Sequence, residues 1–132
     1  MSAGPGTVLP ELRLEVSPTF VISAAIATRD FQDVHHDRDG AVRRGSRDIF
    51  LNILATNGIV QRYVTDWAGA EALVRSIAIR LGVPCYAYDT LTLTGHVRSR
   101  TGDEYAIEVV GRSNLGDHVT GTVRVEIPGG LA

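Results

Sequence analysis

Eight consecutive residues, Asp30-Phe31-Gln32-Asp33-Val34-His35-His36-Asp37, carry three carboxylates and two imidazoles. A turn needs far less titratable chemistry than that. A carboxylate and an imidazole five residues apart on one bent loop can hold a water molecule between them. Asp30 then accepts from the water, while His35 orients it and relays a proton, which is general acid–base chemistry on water. The same residues admit two plainer readings. One is a capped loop with solvated charges. The other is a metal site drawn from His35, His36 and the aspartates, but no third-ligand motif accompanies them. Asp33 and Asp37 read as turn or capping groups, and His36 as exposed or supporting.

Such a pair must be held between ordered elements, and the flanking sequence supplies them. Leu12, Leu14 and Val16 alternate with Arg13 and Glu15, which predicts a short strand after a loose terminus at residues 1–8. Phe20 to Ile22 reads as a further piece of strand. Ser23 is then an N-cap for a short alanine-rich helix that ends near Asp30. After the acidic loop, Asp39-Gly40 and Gly45-Ser46 are turn signals. Ser46 is the expected cap of the longest helix. Its apolar residues, from Ile49 and Phe50 through Ile53, Leu54, Ile59, Val60, Tyr63 and Val64 to Trp67, recur in steps of three and four. Asn57 falls on that stripe, either as a buried amide satisfied by backbone or as a contact to the water network. Gly69 ends the helix.

Beyond Gly69 the period changes to two. Leu73 to Leu81, Asp89 to Val97, Tyr105 to Val109 and His118 to Ile127 all alternate, with turn signals at Gly82-Val83-Pro84, Thr101-Gly102-Asp103 and Asn114-Leu115-Gly116-Asp117. This predicts an antiparallel meander. The long helix is apolar over too much of its surface for a flat sheet. The expected α+β fold is therefore a curved antiparallel sheet around one central helix, in a single domain.

Composition narrows the function classes. With 132 residues the chain suits one domain, and a formal net charge of −2 gives no global attraction to nucleic acid or anionic lipid. Basic residues gather locally at Arg38, Arg43, Arg44 and Arg47. They read as solvated loop charges or as contacts to phosphates. A single cysteine, Cys85, forbids an internal disulfide and suits a reducing compartment. Without a secretory leader pattern or an apolar span, a cytoplasmic protein is expected. Cys85 has no base near it in sequence, and His96 and His118 sit in strand patterns, so all three read as structural.

Element order and loop together resemble the MaoC-like branch of the hot-dog fold, over roughly residues 9–127. The family's R-specific enoyl-CoA hydratases carry Ser/Thr-Gly-Asp-x-Asn-Pro-Leu/Val-His-x-Asp. Thr28, Asp30, Val34, His35 and Asp37 fit that segment, while Arg29 replaces its Gly and Gln32-Asp33 its Asn-Pro. Tyr63-Val64-Thr65-Asp66-Trp67-Ala68-Gly69 resembles the family's central-helix ending, and Val83-Pro84 followed by Asp89-Thr90-Leu91 its turn into the next strand. The loop from His36 to the central helix looks shorter than usual in the family. Ala27 to Asp37, Asp48-Ile49-Phe50 and Leu115-Gly116-Asp117-His118-Val119 are similar, more narrowly, to the small subunits of actinobacterial steroid side-chain enoyl-CoA hydratases.

The resemblance implies addition of water to a 2-enoyl-CoA, a steroid-CoA with a shortened side chain, with Asp30 and His35 catalytic and no cofactor or metal. It implies that the backbone N–H at Ile49, where relatives have the Gly of His-Gly, meets the thioester oxygen; Asn57, from its place on the helix stripe rather than from the resemblance, is read as a second substrate contact. It also implies a larger MaoC-like partner with an additional acyl-CoA-binding domain, assembly as a heterotetramer, and association with a thiolase-like aldolase. Two other functions stand beside it. One is a non-catalytic hot-dog subunit that supports a catalytic partner. The other is a hot-dog acyl-CoA thioesterase, for which Asp48 is the only carboxylate near the helix start.

Overall fold

Ser17-Pro18 begins the first helix of the computed structural model, which describes residues 3–130. The Ser17 hydroxyl accepts from the Phe20 N–H at 3.0 Å. Proline costs nothing at the first helical position, because its missing N–H would be unpaired there anyway. Helix α1 therefore runs Pro18–Ala27 and absorbs the expected strand at Phe20–Ile22, and the cap is Ser17 rather than Ser23. It follows a short strand β1, Leu12–Glu15.

Helix α1 stops through backbone geometry. Arg29 takes the left-handed conformation (φ 56°), its N–H bonds to Ile26 O, and the Asp30 N–H bonds to Ala25 O. This is the double hydrogen bond with which glycine usually ends a helix. A 3-10 turn at Asp33–His35 follows, then a helix of six residues, α2, Arg38–Arg43, where the sequence suggested a turn at Asp39-Gly40. Asp37 caps it, accepting from the Gly40 N–H at 3.2 Å. Gly40 is required by space, since a Cβ there would lie 2.9 Å from Asp33 Oδ2.

Helix α3 spans Ile53–Ala68, capped by Asn52, and so begins later than the apolar pattern suggested. Between Ser46 and Asn52 the chain bends at Arg47 and Asp48, and Ile49–Leu51 then leave the helical path to pair instead. Their backbone pairs with the segment before β3: Leu51 N–H donates to Cys85 O at 3.0 Å and Ala87 N–H to Ile49 O at 2.9 Å. Buried Ala55, Thr56, Ile59, Val60, Tyr63, Val64 and Ala68 form the inner face of α3.

One five-stranded antiparallel sheet is completed by β2 (Leu73–Leu81), β3 (Thr90–Thr101), β4 (Glu104–Ser113) and β5 (Gly116–Glu126), in the order β1-β3-β4-β5-β2. The meander is confined to β3-β4-β5. Strand β2 pairs with β5 instead of its sequence neighbour β3; Gly82 and Val83 still bond to β5, and the chain then leaves that ladder, with Cys85 and Ala87 pairing with the 49–51 segment and Tyr88 and Asp89 with Val16 before β3 begins. The predicted apolar parity is the buried one: Leu91, Leu93 and Val97 on β3, Tyr105, Ile107 and Val109 on β4, and Val119, Val123 and Val125 on β5. Gly95 lies among them because a Cβ there would come 3.0 Å from the Tyr63 ring of α3.

The terminal stretch expected to be loose is ordered from its third residue. Ala3 is buried, Gly6 N–H donates to Val97 O, and Leu9 N–H donates to Gly95 O, so this stretch extends the β1 edge along β3. Met1 and Ser2 lie outside the described residues. Among those described, no helix is long and apolar enough to cross a membrane.

Candidate active site

Three elements meet at the acidic loop. The stop of α1 presents Thr28 and Asp30, the 3-10 turn presents His35, and the start of α3 presents Asn52. His35 Nε2 lies 3.6 Å from Asp30 Oδ2. That is too long for a direct hydrogen bond and suited to one water bridging both atoms. The His35 Nδ1 is 2.8 Å from Phe50 O. A carbonyl only accepts, so Nδ1 carries a proton and the other ring nitrogen, Nε2, is turned toward Asp30. Phe50 also packs edge-on against the imidazole, with centroids 4.9 Å apart. Its own N–H donates to Val34 O, which locks the 3-10 turn to the extended segment. His35 is 7 % exposed, while the Asp30 side chain keeps 25 % of its surface in solvent.

The sequence did not single out Asn52. It is 3 % exposed, and its Nδ2 donates to Thr28 Oγ1 at 2.8 Å and to Asp30 Oδ2 at 3.2 Å. Its Oδ1 accepts the Ala55 N–H at 3.1 Å. The available signal was an asparagine directly before Ile53, a favoured capping residue. Gly45-Ser46 competed for that role, and Asn57 for the role of polar contact on the helix stripe.

One expected substrate contact is corrected. Ile49 is not in the first turn of the central helix; it is buried in the extended segment, and its N–H is taken by the Asp48 carboxylate at 2.8 Å. The N–H groups of Ile53 and Leu54 stand in that first turn instead, without a hydrogen-bond partner among the described residues. Both residues expose about half their surface, 54 % and 53 %. Asn57, one turn further on, makes no side-chain hydrogen bond among the described residues; Asn52 supplies the amide that reaches Asp30.

Most other titratable groups around the loop are occupied. Asp33 pairs with Arg44 at 2.8 Å, and that hydrogen bond holds its carboxyl below the usual range. Arg38 meets Asp48 at 3.7 Å, and Arg47 lies 3.8 Å from Asp89 and stacks over Tyr86. Arg43 is exposed, and His36 is exposed with its Nε2 on Phe31 O at 3.0 Å. Burial pushes the Cys85 thiol up to about 12, which leaves no thiolate for nucleophilic work. Among the described residues, no three His, Cys, Asp or Glu side chains are grouped to hold a metal ion.

This fold and loop place the chain in a known class: it belongs to the MaoC-like hydratases of hot-dog fold. It is 62 % identical over 122 residues to the 3-oxo-4,17-pregnadiene-20-carboxyl-CoA hydratase beta subunit of Mycobacterium tuberculosis, covering 92 % of this chain and 95 % of that one. Among solved structures it matches the ChsH1-ChsH2 complex from Mycobacterium tuberculosis with a TM-score of 0.93 and 60 % identity, covering 96 % of this chain and 99 % of that one. An (R)-hydratase from A. caviae shares the fold at a TM-score of 0.88 with 16 % identity, covering 97 % and 99 % of the two chains. No protein-family model matches the chain.

Proposed function

We propose that this chain is the catalytic-loop subunit of an enoyl-CoA hydratase that adds water to a steroid 2-enoyl-CoA with a shortened side chain. The observation that carries the reading is the Asp30 Oδ2–His35 Nε2 separation of 3.6 Å, with an acceptor on each side. A water between them donates one O–H to each, which turns its lone pairs toward the substrate. As the water oxygen bonds to the β-carbon, its proton passes to this pair, and a proton is returned to the α-carbon. Charge then grows on the thioester oxygen. The unpaired N–H groups of Ile53 and Leu54, at the positive end of α3, are the donors for it.

Two further features of the reading concern shape and assembly. The sheet curves around α3, which fits the close approach of Tyr63 to Gly95 on the inner face. Strand β2 is an open edge nine residues long, and such edges are normally paired or covered. A larger MaoC-like partner with an additional acyl-CoA-binding domain supplies the remaining wall of the pocket, in a heterotetramer of cytoplasmic location that associates with a thiolase-like aldolase. The single domain of 132 residues is small to enclose a steroid ring system alone. A purely supporting subunit has no need of the Asp30–His35 pair, and the thioesterase candidate Asp48 is already engaged with Arg38 and the Ile49 N–H.

The test is consumption of the 2-enoyl thioester absorbance of a steroid enoyl-CoA by the chain alone and with its larger partner. The expected result is hydration by the complex. A purified homo-oligomer with full activity would refute the heteromeric part, and an inert complex would refute hydration.

A further inference from the structure

Asp30 Oδ2, the oxygen that faces His35, also receives the Asn52 amide. From this geometry we infer that Asn52 is a positioning residue for Asp30, aiming the carboxylate at the water site while capping α3. The inference rests on the hydration reading above and assigns a role to a residue outside the Asp-x4-His motif.

Every proton in the cluster is accounted for. The Ala55 N–H needs an acceptor, so the Asn52 oxygen faces the helix and the NH2 faces Asp30 and Thr28. Thr28 Oγ1 donates to Ala24 O at 2.8 Å, so it accepts from Asn52. One Asn52 hydrogen goes to Thr28 and the other to Asp30. The second carboxylate oxygen, Oδ1, accepts the Gln32 N–H at 3.4 Å. The carboxylate plane is thus fixed from two sides, and a remaining Oδ2 lone pair is left for the water shared with His35. The titratable group facing Asp30 is His35 on the 3-10 turn. The end of α1 and the start of α3 bring no charged group, and Arg29, next in the chain, is exposed.

The test separates aiming from capping. Asn52→Asp and Asn52→Ser both keep a competent N-cap oxygen. Asp substitutes a carboxylate for the donor beside Asp30, and like charges at that range disfavour ionisation. Serine is too short to reach Asp30. Assayed as the chain in its native complex, on a steroid 2-enoyl-CoA, both variants should keep the wild-type far-ultraviolet circular dichroism and KM. Each should lose roughly 10-fold or more in kcat at neutral pH. In Asn52→Asp alone, the acidic limb of the pH–rate profile should move up by about one pH unit or more. Wild-type kcat and an unmoved limb in folded Asn52→Asp would overturn the role while leaving hydration intact. A loss in Asn52→Ser matched entirely by a loss of folded protein would overturn it too. Absence of hydration by the wild-type complex would instead overturn the hydration reading, and this role with it.

Discussion

Two buried histidines of this chain differ by one hydrogen bond. His35 and His118 are 7 % and 3 % exposed, and each has its Nδ1 2.8 Å from a backbone carbonyl, Phe50 O and Val83 O respectively. In both rings Nδ1 therefore carries the proton and Nε2 holds the lone pair. At His118 that lone pair is filled by the Thr56 hydroxyl at 2.8 Å, which ties the start of β5 to α3. At His35 it faces a half-open gap with Asp30 on the other side. A satisfied imidazole is a strut, whereas an unsatisfied one beside a carboxylate is equipped to act on water. Burial and residue type do not distinguish the two; the partner of one nitrogen does.

The sharpest way to break the comparison is to remove the open pair. Asp30→Asn and His35→Ala should each lower hydration per folded molecule about 100- to 10,000-fold, with Asp30→Asn unfolding near the wild-type temperature and His35→Ala somewhat below it, because the alanine leaves the Phe50 carbonyl without its partner. Near-normal turnover by either folded variant would put His35 in the same structural class as His118. The converse substitution, His118→Ala, strands the Thr56 hydroxyl and Val83 carbonyl in the core. It should cost about 2–4 kcal/mol in denaturant titrations, with kcat per folded molecule preserved.

His118 also predicts a pH effect. Burial lowers its folded pKa below the ordinary 6.5, partly opposed by the Val83 hydrogen bond and by Asp89. On acidification the unfolded chain takes up this proton first. The associated stability is present above about pH 6.5 and is lost as pH falls toward the folded pKa. Unfolding midpoints measured from pH 7.5 downward, a range of about two units around that value, should show this slope in the wild type and a flatter one in His118→Gln.

The smallest expected effect concerns Arg29. Its left-handed backbone is the conformation in which a side chain costs about 1 kcal/mol and glycine costs least. Arg29→Gly should therefore raise stability by about 1 kcal/mol. A clear destabilisation would mean that the arginine side chain supports the loop in a way its exposure does not suggest.

Much of the candidate site was legible because it is local. Asp30 and His35 share one short loop, so their spacing could be read without knowing what packs beside them. Alternation of apolar residues gave the inner face of β3, β4 and β5, because a strand's side chains alternate whatever its partner. Helix boundaries were less legible. Ser17, Ser23, Ser46 and Asn52 are all plausible caps, and the choice among them depends on competition for the backbone. Phe20–Ile22 joined α1 because Pro18 started a helix ahead of it, and Ile49–Leu51 left α3 because Cys85–Ala87 offered it a pairing partner.

The sequence by itself determined the catalytic-loop candidates and the apolar faces, since each rests on residues near one another in the chain or on a repeating period, and the hydratase class entered through the family resemblance that the loop and the element order carry. Tertiary structure alone decided that β2 crosses to the far edge beside β5, that Asn52 reaches Asp30 across 22 positions, and that Thr56 fills His118 across 62. Those contacts join segments whose separation no local pattern encodes. They form only where the packing of α3 against the sheet brings their donors and acceptors within about 3 Å of each other.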